Sequence, residues 1–244
     1  MTQQFTPIIS LNNMYVNSMH ITYVDDTKFT VSHGQCRDSN NVLDILIPSI
    51  ITVDCSVNGI NGLDVGSFSA NLWYYILAIA DSSGFKEPGY LVSLSRTSPT
   101  LPAGYDSQRY LGQVLTDSSA HIWPFVQTGD SNYREYFFTP INVLDDGEAL
   151  DFAPVDLSSA IPPLDNIKVY LQVILNPSMP GDISTLRTPG TQITFYFDST
   201  DTTVFQSLPI YVLSKLVDEA PTIEYQVSTG ASLIIYAQSY HNFI

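Results

Sequence analysis

Apolar and polar residues alternate along most of this chain in short runs, and no long stretch has apolar residues at helical three-and-four spacing. The runs predict strands at Met14 to Val24, Lys28 to Ser32, Val42 to Ile47, Ile50 to Val57 and Leu72 to Ala80. Further strands are expected at Tyr90 to Ser95, Gln108 to Leu115, His121 to Gln127 and Tyr133 to Phe138. The second half adds Ile167 to Leu175, Thr191 to Phe197, Thr203 to Leu213, Thr222 to Val227 and Ser232 to Ser239. Leu72-Trp-Tyr-Tyr-Ile-Leu-Ala-Ile-Ala80 is apolar on both faces and reads as a central strand. Pro and Gly punctuate the chain at strand-and-turn intervals.

The expected fold is therefore all-β. About fourteen strands exceed the roughly seven to nine of an immunoglobulin domain. A large jelly-roll-like antiparallel β-sandwich over residues 1–244 accommodates them. The alternative is two consecutive small β-sandwiches, 1–145 and 164–244, with 146–163 as linker or long loop. No tandem repeat of fixed period is present.

Composition narrows the function classes. Charged residues are 14% of the chain, against roughly 25% in a typical soluble protein. Ser, Thr, Asn and Gln take their place, which suits a surface apposed to other protein; short β loops favour the same residues. Nine basic residues face 24 acidic ones, for a net charge of −15. The basic residues are scattered, so direct nucleic-acid binding is not expected. An anionic membrane surface would repel the chain, and no apolar run is long enough to span a bilayer. The first residues lack a basic start and an apolar core, so no signal peptide is expected. The product is expected to be made and held in a cytoplasm. Cys36 and Cys55 are then expected as buried free thiols.

Candidate chemistry is sparse. His20, His33, His121 and His241 are far apart in sequence. The carboxylate pairs Asp145-Asp146, Asp198 with Asp201, and Asp218-Glu219 could in principle hydrolyse glycosides. Each lies in a stretch that reads as a turn, where Asp bonds nearby backbone amides. Asp198-Ser-Thr-Asp201-Thr lacks the full spacing of a calcium loop. No catalytic residue, cofactor or metal site is expected. Trp73 and Tyr75 share one face of their strand and Tyr74 takes the other, which reads as core more than as a sugar-stacking platform. Trp123, in His121-Ile-Trp-Pro-Phe125, is the other large aromatic considered for a ligand or an interface.

A series of segments carries a resemblance. Gly34-Gln-Cys-Arg-Asp-Ser-Asn-Asn-Val42 is followed by Gly62-Leu-Asp-Val-Gly-Ser67 and the Leu72-Trp-Tyr-Tyr strand. Then come Ser93-Leu-Ser95, Pro99-Thr-Leu-Pro-Ala-Gly-Tyr105, Arg109-Tyr-Leu-Gly112 and Leu115 to Phe125. Over about residues 34–127 this order resembles structural proteins of tailed bacteriophages and prophages. The resemblance implies a virion component, capsid-associated or in the tail and fibre apparatus, assembled in the host cytoplasm. Its partners would be other virion proteins and further copies of itself, and it would not be an enzyme. A receptor- or carbohydrate-binding module at the tail tip, with a host surface glycan as ligand, is the alternative; a depolymerase is the third. Within the motif, Pro99, Pro102 and Gly104 predict a rigid corner before Tyr105. Arg109 is expected to pair with an acidic loop residue, or else to contact a neighbouring subunit. Trp73, Trp123, Tyr105 and Arg109 are thus the candidate ligand or interface residues.

Overall fold

The computed structural model describes residues 15–128, 132–165, 167–192, 194–199 and 206–243. All of its regular structure is β, with no helix among the described residues. Five sheets arise from the pairing, and every strand pair but one is antiparallel.

The first half builds three sheets. One contains β1 (Val16–Ser18), β4 (Gly34–Arg37) and β5 (Asp44–Ile47), in the order β1-β4-β5. A second contains β2 (Ile21–Asp25), β3 (Lys28–Val31) and β6 (Ile51–Asp54), in the order β2-β3-β6. The third contains β7 (Gly62–Leu63), β8 (Trp73–Ala80), β9 (Gly89–Ser93) and β10 (Ser107–Leu115), in the order β10-β8-β9-β7. The expected single strand Met14 to Val24 is two strands in different sheets. Ser18 and Met19 both take positive φ, 62° and 65°, and this kink drops the fully buried Met19 side chain into the core.

All eight residues of β8 are buried, as the two-sided apolar run predicts. Their alternation feeds separate packing groups. Tyr74, Ile76, Ala78 and Ala80 join Phe29, Val31, Ile45, Val53 and Tyr90 in the first large core. Tyr75, Leu77 and Ile79 pack with Leu91 under Leu101, Tyr105 and Tyr110 on the opposite face.

The second half holds two more sheets. The larger contains β11 (Phe125–Thr128), β12 (Asn132–Gly147), β14 (Lys168–Asn176), β17 (Gln206–Leu213) and β20 (Ser232–Phe243), in the order β11-β12-β20-β14-β17. The other contains β13 (Ala153–Asp156), β15 (Ile183–Arg187), β16 (Thr194–Asp198) and β19 (Ala220–Val227), in the order β13-β19-β15-β16. β18 (Lys215–Val217) pairs with β19. Strict alternation along β14 buries Val169, Leu171, Val173 and Leu175 against Leu186, Ile223, Tyr225 and Val227 in the second large core. The C-terminal strand β20 runs between β12 and β14, in the middle of its sheet.

Buried side chains thus gather into two large cores, one per half, and Trp73 and Leu115 from the first half's central sheet reach into the second. The stretch 146–163, expected as linker or loop, contains β13 and buries Leu157, Ala160 and Ile161 in the second core. Its prolines and acids masked those few apolar anchors. β4, β7, β13, β15 and β18 were not expected as strands. They are short, and each is held by a neighbour's register more than by its own apolar content.

Candidate functional site

The Gly62, Ser93 and Pro99 segments meet at one corner of the first half. Gly62 sits where an added Cβ would lie 2.3 Å from the Val57 carbonyl oxygen, so only glycine fits that approach. Leu63, next along, is buried. The Asp64 carboxylate then ties three motif segments together. Its Oδ2 accepts a hydrogen bond from Ser93 Oγ at 2.7 Å and from the Thr100 amide at 3.0 Å, and its Oδ1 accepts the Val65 amide at 2.8 Å.

The Pro99–Tyr105 segment is a closed corner. The Tyr105 amide donates to the Pro102 carbonyl at 3.0 Å, and Gly104 supplies the required φ of 82°. Tyr105 donates its hydroxyl to the Glu87 carbonyl at 2.9 Å, and the Lys86 ammonium lies over its ring at 5.4 Å while donating to the Ala103 carbonyl. Arg109 is only 4% exposed. Burial lowers its pKa, and the fields of Cys36 and Asp38 oppose that shift. Asp38, also buried, accepts the amides of Val42 and Leu43 at 2.6 and 2.7 Å and so shapes the loop beside Arg109. Tyr105 and Arg109 are therefore engaged within the chain, and the covered guanidinium presents no surface to a neighbour.

Trp73 and Trp123 flank Leu115, and Trp123 lines a recess between the two halves. Three loops form it. The 116–124 loop is closed by the Asp117 carboxylate, which accepts the Ser119 and His121 amides at 2.8 Å each. The same loop sets Trp123 beside Leu115 through a 2.8 Å backbone bond. Asn71, at φ 55°, anchors the second loop by donating its amide to the Asp117 carbonyl at 3.0 Å. In the third loop, Asp156 accepts the Ser158 amide at 2.8 Å, and buried Leu157, Ala160 and Ile161 hold the backbone down. Trp73 is buried beneath and donates its indole N–H to the Ser158 carbonyl at 3.0 Å, which makes it a positioning residue for that loop. The recess encloses about 360 Å³ and is lined by Asn71, Leu115, Thr116, Trp123, Ile141, Ser158 and Ser159.

Beside it runs a buried polar chain that residue types alone did not reveal. Tyr110 donates to Gln113 Oε1, Gln113 Nε2 donates to Tyr240 Oη at 2.8 Å, and Tyr240 is hydrogen-bonded to the Glu135 carboxyl group. Burial pushes Glu135 up to about 8, with the Tyr240 bond opposing the shift. Burial, with the nearby carboxylate, pushes Tyr240 well above the ordinary phenol range. The sequence did hold one signal: Glu135 shares strand parity with Phe137, which faces the core.

The remaining candidates do not converge. Among the described residues no three His, Cys, Asp or Glu side chains gather in a metal-binding group. Asp218 and Glu219 form the turn between β18 and β19, both at positive φ, whereas Asp145 and Asp146, expected in a turn, lie within β12 where its register against β20 shifts. The Asp201 end of the Asp198 segment lies outside the described residues. Cys36 and Cys55 are both buried free thiols, and burial pushes each up to about 12.

No protein-family model matches the chain, and no curated protein matches its sequence.

Proposed function

We propose that this protein is a structural component of a bacteriophage particle, capsid-associated or in the tail and fibre apparatus, working through protein–protein contacts as a homo-oligomer. One observation carries the reading. Val24, Leu46, Val126, Phe195, Tyr196, Leu213 and Val217 are large apolar side chains exposed on strands, and all lie at sheet margins. Phe138, on β12, is the exception. On β5, Leu46 is 59% exposed, and Val42 and Ile50 on either side are more so. A margin strand with unpaired backbone groups and apolar side chains is a template for another chain, and isolated proteins normally blunt it with charge. Here charge is scarce, and a symmetric assembly would cover these margins.

The resemblance of the motif segments to tailed-phage structural proteins supports the same reading. The motif residues Asp64, Ser93, Thr100 and Tyr105 hold a corner together by hydrogen bonds within the chain, and Arg109 is buried. In this reading the chain is not an enzyme, and its partners are virion proteins. The net charge of −15 disfavours direct contact with packaged nucleic acid. The test is quantitative mass spectrometry of washed particles from the phage or induced prophage that encodes the chain. The expected result is the chain at a copy number that fits particle symmetry. Its absence from washed particles overturns the reading.

A further inference from the structure

We propose that the recess beside Trp123 is a binding site for a single neutral sugar ring. The inference goes beyond assembly and stands on separate observations, so either can fail alone.

The chemistry of the lining selects the ligand. Leu115, Ile141 and the Trp123 indole supply an apolar lining, while Asn71, Ser158 and Ser159 supply an amide and two hydroxyls. None of these three polar side chains has a hydrogen-bond partner among the described residues. A purely apolar ligand would bury these groups unpaired, at a cost in affinity. A pyranose has an apolar C–H face for the indole and hydroxyls for the amide and serines, so it satisfies both kinds of surface.

Charge excludes the other small polar ligands. No charged side chain lines the recess, so a cation gains nothing specific there. Asp117 and Asp156 sit in the loops that form it, and the chain as a whole is strongly acidic, so phosphates and acidic sugars are repelled. The volume of about 360 Å³ falls at the small end of ligand sites, the size for one ring and not for an extended chain. The site is also preformed. Asp117, Asp156 and Trp73 already fix the loops by hydrogen bonds, so little ordering opposes binding. Because Asn71 and Trp123 come from the first half and Ile141, Ser158 and Ser159 from the second, an occupied site would brace the junction.

The chain has only two tryptophans, which makes the test direct. Full-length protein carrying fluorotryptophan gives one fluorine NMR signal for Trp123 and one for Trp73, assigned with Trp123→Phe. The probes are methyl glycosides of glucose, galactose, mannose, rhamnose and N-acetylglucosamine, taken well above millimolar. The expected result is a saturable shift of the Trp123 signal with at least one probe. Asn71→Gly, which removes the amide and keeps the positive φ, and Ser159→Ala, both at exposed positions, should each weaken that binding several-fold without lowering the melting temperature. Flat titrations with every probe overturn the proposal. So does binding that survives both variants unchanged, because it would then lie elsewhere.

Discussion

Gln113 and Tyr240, 127 residues apart, are joined by a buried hydrogen bond of 2.8 Å. Gln113 belongs to β10 of the first half and Tyr240 to β20 of the second, and Trp73 meets the Tyr240 ring edge-on at 5.8 Å. The two halves are therefore joined by a polar chain set within apolar packing. Such a chain favours one arrangement, because any other leaves buried groups unpaired.

Removing the Tyr240 hydroxyl should expose that dependence. Tyr240→Phe keeps the ring packing but takes a partner from both Gln113 and Glu135. A loss of ~1–3 kcal/mol is expected from urea unfolding, the cost of leaving buried polar groups unsatisfied. An unchanged midpoint would mean the chain of bonds contributes nothing to the junction.

Glu135 makes stability pH-dependent. Its folded pKa is raised to about 8, whereas in the unfolded chain it returns to the ordinary carboxyl range near 4.5. Between those values the folded state keeps a proton that the unfolded state releases. Its contribution is therefore fully present below the unfolded value and is lost as pH rises toward about 8, at up to about 1.4 kcal/mol per unit. Glu135→Gln cannot ionise. Urea midpoints measured across this window should fall less steeply for the variant than for the wild type, with the largest gain near the upper end. Parallel profiles would show that Glu135 ionises normally.

Asp64 should control the motif corner. Asp64→Ala removes the acceptor for Ser93 Oγ and for the amides of Val65 and Thr100. We expect a loss of ~1–3 kcal/mol and faster hydrogen exchange at the Thr100 amide. Exchange at Thr100 that stays as slow as in the wild type would place the corner's rigidity elsewhere.

Both thiols should be silent in the native protein. Cys36 and Cys55 are buried and their pKa values are pushed up to about 12, so neither accessible surface nor thiolate is present near neutral pH. A maleimide or disulfide reagent should label neither until denaturant is added, and then both. Prompt labelling of the folded protein would contradict this.

Much of the fold was legible in the sequence because alternation reports burial directly. The eight-residue β8 and the strictly alternating β14 were visible for that reason. What was not legible came from tertiary pairing. Gly34–Arg37 contains one buried apolar residue, Cys36, yet it is held as a strand by β1 on one side and β5 on the other. The kink at Ser18 and Met19 has no glycine or proline to announce it. For the site, Trp123 was visible as an aromatic beside a proline. Its recess partners Asn71, Ser158 and Ser159 were not, since ordinary loop residues acquire meaning only when three distant loops meet. Arg109 stood out as one of few cations, but its burial depends on the Asp38 loop folding beside it.

The most direct measurement is a map of the intact particle at a resolution that traces this chain. The account predicts that neighbouring protein covers the sheet margins bearing Leu46, Phe195, Tyr196 and Leu213. A traced copy whose margins all face solvent, or a particle without the chain, would contradict it.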